Sequence, residues 1–458
     1  MPAPVASVQT GAFPYSVDLL AAAQAEPELF PFLLESTARG GAQGRRDILF
    51  ARPDPEMLVL HADGRLTGPG APAAGGDFLA ALDAWWRDEQ SRAGAAQGDA
   101  PFRGGFFLYL GYELIGQIEP SLGLTGLREL PVAFAARVPA ALIRDHASGT
   151  VSYHAETGTD PGLAKTLSRV LAGGVAAETP ALAGGLEEEA PQRYLEQVRR
   201  ARHYIYEGDI FQANLSRRWS ATLARDVTST GLYARLRRAN PAPFAGLALY
   251  GDSAIISSSP ERLVSVAGRR VDTRPIAGTR PRSTDPTRDA ALIRELIENP
   301  KERAEHVMLL DMERNDLGRL AEPGSVKVDE LMVVESYTHV HHIVSNVCAR
   351  LREGVTPAEV IRAVFPGGTI TGCPKVRCMQ IIAELEQASR EAYTGAMGYL
   401  NLDGDLDLNI LIRTLVQKGR RLEFRAGAGI VADSIPEREL EETRAKARGL
   451  ARALGADA

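Results

Sequence analysis

The sequence predicts an α+β fold, with helices packed on antiparallel β-sheet. Two strand-like runs, residues 247–257 and 421–428, are interleaved with helical segments that begin near Pro300, Lys375 and Pro436. No internal repeat is visible along the chain. This mixture of elements is typical of antiparallel sheets covered by helices.

The composition narrows the class of protein. The chain of 458 residues, 45% of them hydrophobic, is long enough for about two to three average domains. It has no apolar run of the roughly 20 residues that a membrane helix needs and no signal-peptide pattern, so we expect a cytoplasmic protein that does not bind a membrane. The net charge of -6 is spread without a basic run, which disfavours nucleic acid and favours a small-molecule ligand.

One segment predicts a boundary within the chain. Residues 171–191 are small, acidic and rich in glycine and proline, without periodicity. Such a composition is typical of a linker or a mobile surface connection. We therefore divide the chain into an N-terminal region, residues 1–170, and a second region, residues 192–458, which contains the chemically informative motifs.

A strand with a polar face follows the linker. A helical pattern ends near Gly208, and in the strand-like segment after it Gln212, Asn214 and Ser216 share one face. Three polar side chains on one face of a strand line either solvent or a polar cavity, and the local sequence is consistent with both.

The first of two acidic pairs lies at the start of a predicted helix. Asn299 is suited to cap a helix that begins at Pro300, and Glu302 and Glu305 then point the same way, three residues apart. Taken alone, this pair is consistent with a solvated charged face.

The second acidic pair lies near the C-terminus. Ser434 and Glu437 fit a capping box, and Glu439 and Glu442 repeat the three-residue spacing, with Lys446 one turn beyond Glu442. If the two pairs face each other they need a cation, since two charges about 4 Å apart repel by about 4 kcal/mol at an effective dielectric constant near 20. Oxygen ligands without His or Cys favour Mg²⁺.

A glycine-rich turn and an arginine are further candidates for a ligand site. The segment FPGGTITGCPKVR allows close backbone approach but lacks the residues of a P-loop. Arg413 lies in an apolar run, where its guanidinium needs either an internal carboxylate or a ligand carboxylate. Gly427 and Gly429 leave room for a ligand beside the next strand.

Two further segments carry groups capable of acid/base chemistry. In YTHVHHIVSNV, His342 falls on the opposite strand face from His339 and His341, and we expect a hydrogen-bonding or acid/base role for one of the three rather than a metal site. Glu261 follows Pro260 at a predicted turn, where a surface position would be equally consistent.

Taken together, these segments resemble the chorismate-utilising enzymes, which include anthranilate, aminodeoxychorismate, isochorismate and salicylate synthases. The resemblance covers roughly residues 200–450 and runs in order through DIFQANLS, SSSPERL, RPIAGT, KERAEHVMLLDMERNDLG, HHIVS, FPGGTITGCPKVR, GAMGYL, DLDLNILIRTL, AGAGIVADS and ELEETRAKA. It implies two large antiparallel β-sheets packed together and flanked by helices, with the N-terminal region intertwined with the catalytic part.

The resemblance also implies a metal site and a substrate. Glu305 and Glu442 would bind Mg²⁺, with Glu302 and Glu439 bound through water or lying nearby. The metal would hold the ring carboxylate of chorismate.

The same resemblance implies catalytic and binding roles for other residues. Glu261 would be the general acid that protonates the departing hydroxyl, and His342 would be the catalytic histidine. Residues implied in binding the enolpyruvyl carboxylate, in orienting the ring or in contacting the substrate are Arg413, Tyr393, Gly429, Thr369, Gly427 and Lys446.

Gln212 separates the branches of this family. The branches that add water have a general-base lysine at this position, whereas the amide of Gln212 cannot take a proton near neutral pH. Ammonia needs no such activation, so the chain resembles an aminating enzyme. Because no glutaminase segment is visible, we expect ammonia from a separate glutamine amidotransferase subunit.

The product is predicted from a further resemblance. FQANLS, GGTITG and DLNILIRT resemble aminodeoxychorismate synthase component I, which aminates chorismate for p-aminobenzoate and folate synthesis. That subfamily often has a nucleophilic lysine where this chain has Ala277, and anthranilate synthases carry alanine, so anthranilate is the alternative product.

Residues 33–36 resemble the tryptophan-binding segment of both enzymes. A non-catalytic chorismate or tryptophan sensor is a third alternative, which the intact acidic pairs disfavour.

Overall fold

The computed structural model describes residues 12–38, 44–72, 75–93, 99–122, 124, 129–159, 162–337 and 340–456. The α-helices are α1 (Leu20–Ala25), α2 (Phe78–Ala93), α3 (Ile115–Ile118), α4 (Gly162–Val170), α5 (Pro191–Tyr206), α6 (Ser229–Ala239), α7 (Pro286–Glu298), α8 (Pro300–Gly318), α9 (Pro357–Val364), α10 (Lys375–Glu386) and α11 (Pro436–Ala453). None of these described helices combines the length and apolar composition that crossing a membrane requires.

The described residues also form 23 β-strands. They are β1 (Ala12–Phe13), β2 (Phe32–Glu35), β3 (Arg46–Ala51), β4 (Met57–Leu60), β5 (Leu66–Thr67), β6 (Gly105–Leu110), β7 (Ala133–Val138), β8 (Ala140–Asp145), β9 (Thr150–Ala155), β10 (Leu182–Glu188), β11 (Gln212–Leu223), β12 (Phe244–Tyr250), β13 (Ser253–Ser259), β14 (Arg262–Ala267), β15 (Arg270–Thr273), β16 (Ile276–Pro281), β17 (Lys327–Ser336), β18 (Val340–Arg350), β19 (Gly372–Cys373), β20 (Ala396–Asn401), β21 (Leu406–Ile410), β22 (Thr414–Lys418) and β23 (Arg421–Ile430).

Two large antiparallel sheets form the centre of the molecule. One has the strand order β1-β9-β8-β3-β2-β12-β13-β22-β23-β11-β10, with β19 also paired to β11. The other has the order β16-β18-β15-β14-β21-β20-β6-β7-β4-β5, with β17 also paired to β18. A buried cluster holds side chains of both sheets, among them Phe32 stacked on Phe107 with ring centroids 4.1 Å apart. The predicted α+β class and the pair of large sheets are confirmed.

The N-terminal and C-terminal parts of the chain share both sheets. Strand β2 pairs with β12, and β6 pairs with β20, so strands from residues 1–170 lie inside sheets completed by later residues. The segment predicted as a linker, residues 171–191, contains strand β10 on the edge of β11. Its sequence did not indicate a strand, because the strand exists through backbone hydrogen bonds to β11 and buries few of its own side chains.

The two helices with acidic pairs begin differently. In α8, Asn299 Oδ1 accepts hydrogen bonds from the backbone of Lys301 and Glu302, as its sequence predicted. In α11 the predicted capping box is wrong. The helix has Ile435 at its N-cap without a side-chain cap, and Ser434 Oγ instead accepts a hydrogen bond from the Val431 amide, within the turn before the helix.

Candidate active site

Strand β11 turns its polar face into the protein. Gln212, Asn214 and Ser216 are all buried, so this face lines a polar interior rather than bulk solvent. Gln212 Oε1 and Asn214 Oδ1 have no hydrogen-bond partner among the described residues. A buried amide left unpaired costs about 1–3 kcal/mol, so these groups are suited to meet a polar ligand.

Two glycines of β23 lie opposite this polar face. Gly429 pairs with Asn214, and Gly427 pairs with Ser216. A Cβ atom on Gly427 would lie 2.6 Å from Tyr393 Oη, and one on Gly429 would lie 2.5 Å from Gln212 Nε2. The room left by the two glycines is therefore used by side chains that line the site.

Glu261 is buried, unlike a surface residue at a turn. Burial raises the pKa of Glu261 to about 7, and the nearby Glu313 carboxylate adds to the rise. The nearby Thr369 hydroxyl lowers the pKa of Glu261 and so partly offsets the rise. Thr369 Oγ1 is itself buried and makes no hydrogen bond of standard geometry to a described residue. At neutral pH a large fraction of Glu261 therefore carries the proton that a general acid needs.

Arg413 lies in the turn between β21 and β22, not within a strand. Its φ of 52° is a left-handed conformation that side-chain-bearing residues adopt rarely, and such strain is often found at functional sites. Burial lowers the pKa of Arg413, while the nearby Glu261 opposes that change. Among the described residues Glu261 is the carboxylate that acts on this guanidinium, without a hydrogen bond to it, so a ligand carboxylate is a partner that the position suits.

Tyr393 is buried close to this part of the site, and burial raises its pKa to about 12. Its hydroxyl therefore stays protonated at neutral pH. As a hydrogen-bond donor beside Gly427, it can add to the recognition of an anionic group.

His342 and His341 face different surroundings on β18, as the alternation of strand faces predicted. His342 Nδ1 lies 2.8 Å from Thr279 Oγ1, and burial, with a contribution from Arg413, lowers the His342 pKa to about 3. His341 Nε2 lies 2.9 Å from an Asp289 oxygen. His339 lies outside the described residues. His342 is thus a neutral imidazole at physiological pH.

Ala277 lies in an apolar corner. It pairs with Ile343 across β16 and β18 and packs with Leu309, Met312 and Cys373. The Cys373 thiol at this corner is partly buried, and burial raises its pKa.

The acidic pairs of α8 and α11 converge. Burial raises the pKa of Glu305, and the carboxylates of Glu302, Glu442 and Glu439 add to the rise because like charges lie close together. We call these four residues the acidic cluster. Their helices come from segments more than 100 residues apart, and the tertiary fold brings them to one site.

Cations contact three members of the acidic cluster. The ion pairs are Arg280 to Glu302 at 3.1 Å, Lys301 to Glu305 at 3.7 Å and Lys446 to Glu442 at 2.8 Å. Lys446 Nζ also donates to the Gly427 carbonyl at 3.0 Å, which joins the acidic cluster to strand β23. Glu442 and Lys446, one helical turn apart on α11, thus form an ion pair.

The donor set of the acidic cluster fits a hard divalent cation. All four side chains offer carboxylate oxygens, and no His or Cys is among them. Burial and, after it, repulsion from the other three carboxylates raise the pKa of Glu305. A bound cation would relieve that repulsion.

Sequence reasoning missed several residues of this site. Three residues that contact His342, Glu302 or Glu305 had no feature in the sequence that marked them as site residues. They are Thr279, Arg280 and Lys301. Glu313 did have a signal, because it follows Glu302 by three helical turns and so lies on a similar face of α8. Burial raises the Glu313 pKa to about 7, with Asp316 contributing.

Comparison with known proteins identifies the family of the chain. The profile of the chorismate binding enzyme family matches residues 59–452. Anthranilate synthase component 1 of Streptomyces coelicolor is 40% identical over 451 residues, covering 93% of this chain and 84% of that protein. Aminodeoxychorismate synthase component 1 of Bacillus subtilis is 49% identical over 261 residues, covering 57% of this chain and 55% of that protein.

A solved structure has the same fold. The crystal structure of anthranilate synthase component I from Streptococcus pneumoniae TIGR4 superposes with a TM-score of 0.76 at 32% identity, covering 90% of this chain and 93% of that one. The chain belongs to the chorismate binding enzyme family.

Proposed function

We propose that the chain aminates chorismate with ammonia, and that the product is 4-amino-4-deoxychorismate. The observation that carries the amination is Gln212, a buried amide where a water-activating enzyme needs a base. In the overall reaction the C–O bond at the hydroxyl-bearing carbon breaks, a C–N bond forms and water leaves. The 49% identity to an aminodeoxychorismate synthase component 1 supports the choice of product.

The residues of the buried site supply what this reaction needs. Hydroxide is a poor leaving group, and Glu261, whose pKa is about 7, can donate its proton to the departing oxygen. Arg413 and Tyr393 would hold the enolpyruvyl carboxylate through charge-assisted hydrogen bonds. Gly429 would lie beside the same carboxylate, and Thr369 with Gly427 would orient the ring. Neutral His342 would act as a hydrogen-bonding or base group next to the substrate.

We propose Mg²⁺ as the cofactor, held by Glu305 and Glu442 with Glu302 and Glu439 nearby or bound through water. When bound, it would supply the positive charge that holds the ring carboxylate of the substrate. Lys446, which lies between Glu442 and β23, would contact the substrate.

Anthranilate is the second candidate product, and Ala277 favours it. An apolar corner at this position offers no lysine to attack the ring. The 40% identity to an anthranilate synthase component 1 over most of both chains also supports this alternative.

Product analysis tests the proposal. The purified chain is incubated with chorismate, Mg²⁺ and ammonium, and products are resolved by mass spectrometry. We expect 4-amino-4-deoxychorismate, which keeps the enolpyruvyl group. Anthranilate with equimolar pyruvate would instead establish the second candidate, and no turnover of chorismate would support the sensor alternative. Ala277→Lys is expected to raise the rate or the fidelity of aminodeoxychorismate formation.

Ammonia is proposed to come from a separate glutamine amidotransferase subunit. The isolated chain should then use ammonium salts but not glutamine, and a partner amidotransferase should restore glutamine use. Glutamine-dependent turnover by the chain alone would contradict this assignment.

We also propose a tryptophan site in the N-terminal region. The segment that resembles a tryptophan-binding motif borders a cavity of about 300 Å³ between the two sheets, where Glu35, Ser36, Met397 and Asn409 combine charged, polar and apolar groups. Tryptophan should raise the melting temperature of the chain, and Ser36→Ala should weaken that effect. An unchanged melting temperature with saturating tryptophan would argue against the site.

A further inference from the structure

Arg390 lies beneath three segments that line the candidate active site. Its guanidinium is buried and donates to the Asn214 carbonyl of β11 at 2.7 Å and to the Ile370 carbonyl, in the turn after Gly367, at 3.5 Å. Its guanidinium carbon lies 5.5 Å from the ring centroid of Tyr393. One planar cation thus contacts a strand, a turn and an aromatic ring of the same site.

Glu386 and Arg425 extend this contact to the opposite strand. The Glu386 carboxylate binds Arg390 bidentately, at 2.9 and 2.6 Å, and accepts hydrogen bonds from the amide and hydroxyl of Ser216 at 2.8 and 2.9 Å. Arg425 on β23 contacts Glu386 at 3.2 Å and donates to Ser216 Oγ at 3.0 Å. Glu386, Arg390 and Arg425 form what we call the buried network.

The buried network makes a connected set of charge-assisted hydrogen bonds. Burial alone would raise the pKa of Glu386, but Arg390 and Arg425 hold it below its ordinary value. Bidentate geometry of this kind depends on the planar guanidinium and is not reproduced by the single ammonium of lysine.

The backbone near Tyr393 needs external support. Glu391 and Thr394 have φ values of 51° and 65°, in the left-handed region. Glu113, from the N-terminal part of the chain, accepts hydrogen bonds from the backbone amides of Arg390 and Glu391 at 2.7 and 3.0 Å. Tyr393 therefore lies in a strained segment that is held from both sides, by Glu113 and by Arg390.

We propose that Arg390 is a positioning residue, which together with Glu386 and Arg425 holds Tyr393 and strand β11 in the geometry that receives the substrate. This inference rests on the proposed function, because it concerns the end of the site assigned to the enolpyruvyl carboxylate. The side chains of the buried network bind one another and neighbouring protein groups, which is why we assign positioning rather than catalysis. A network that served only folding would affect stability without affecting substrate affinity.

Arg390→Lys tests the inference, with Arg137→Lys as a matched control. Arg137 is also buried, pairs with Glu89 and Glu156 and donates to backbone carbonyls, but it lies on β7, away from the candidate site residues. We expect Arg390→Lys to raise the KM for chorismate by about tenfold or more with kcat changed by about threefold or less, because the pocket is misplaced by a fraction of an ångström. Arg137→Lys should leave KM unchanged even if the two variants lose similar thermal stability.

A double-mutant cycle with Tyr393→Phe separates positioning from a general loss of structure. If Arg390 acts through Tyr393, the effect of Arg390→Lys on KM should shrink when the Tyr393 hydroxyl is already absent. Additive effects would overturn the role of Arg390 in holding Tyr393, and an unchanged KM in Arg390→Lys would overturn the whole inference. Both outcomes leave the proposed function intact. If Arg390→Lys is insoluble, the KM for chorismate is measured for Arg425→Lys instead. We expect that KM to rise by less than about tenfold, and an unchanged KM would overturn the inference. A wild-type chain that neither binds nor converts chorismate would refute the proposed function and this inference together.

Discussion

Two groups of carboxylates in this molecule differ in their surroundings more than in their chemistry. Glu261 is buried beside Glu313 with no cation within ion-pairing distance among the described residues, and its pKa is about 7. The side chains of Glu305 and Glu442 are 31% and 49% exposed, and each has a lysine within 4 Å. The comparison teaches that environment assigns the role, because a buried acid without a nearby cation keeps a proton to donate, whereas carboxylates that converge beside lysines are suited to attract a cation.

The largest effect is expected from Glu261→Gln, which removes the proton that this comparison assigns to the buried carboxyl. Loss of a general acid costs about 10²–10⁴-fold, so we expect turnover with chorismate and ammonium to fall about 10³-fold. The wild-type rate should fall as pH rises above about 7, at constant free ammonia, as Glu261 deprotonates. Wild-type turnover in Glu261→Gln would contradict the general-acid role that distinguishes Glu261 from the acidic cluster.

The second prediction concerns stability. The pKa of Glu261 is raised from 4.5 to about 7 on folding, so its protonated form stabilises the fold at low pH. That contribution is complete below pH 4.5 and is lost as pH rises to about 7, which amounts to about 3 kcal/mol. Glutamine does not ionise, so Glu261→Gln should not lose this stability. When pH rises from 4 to 8, its free energy of unfolding in urea titrations should therefore increase by about 3 kcal/mol relative to that of the wild type. A difference that is constant across this pH range would contradict the raised pKa.

The third prediction tests the acidic cluster. Glu442→Gln should lower activity by about 10²-fold and raise the Mg²⁺ concentration needed for half-maximal rate, because one oxygen ligand loses its charge. Glu441→Gln is the matched control, since Glu441 directly precedes Glu442 on α11 and pairs with Arg444 on the exposed side. Equal responses of the two variants to Mg²⁺ would argue for a structural role of the cluster.

The smallest effect is expected from Arg413→Lys, which keeps the charge but removes bidentate geometry. We expect the KM for chorismate to rise about tenfold, with little change in kcat, in steady-state assays. Arg421→Lys, at a half-exposed surface position on β23, serves as the control. An unchanged KM in Arg413→Lys would remove Arg413 from the proposed carboxylate site.

Much of the candidate site could be predicted from residue types and spacing. The polar face of β11, the acidic pairs and the opposite faces of His341 and His342 follow from helical and strand periodicity. The cap at Asn299 follows from local hydrogen-bonding chemistry. These features were predictable because each depends on residues within a few positions of one another.

Other features depend on contacts between distant segments and were not predictable. Arg390 had no local signal, since its partners Asn214 and Ile370 come from other parts of the chain. Ser434 was expected to cap α11, but the turn before the helix uses its hydroxyl. Strand β10 exists because β11 offers it a free edge.

The sequence by itself determined the chemical groups that the site contains and the local faces on which they lie. Only the tertiary structure decided which of them are buried and which are paired. That distinction governs function here, because desolvation and neighbouring charges set whether Glu261 carries a proton, and convergence of α8 with α11 creates the acidic cluster. Periodicity is a property of a few adjacent residues, whereas burial is a property of the whole fold.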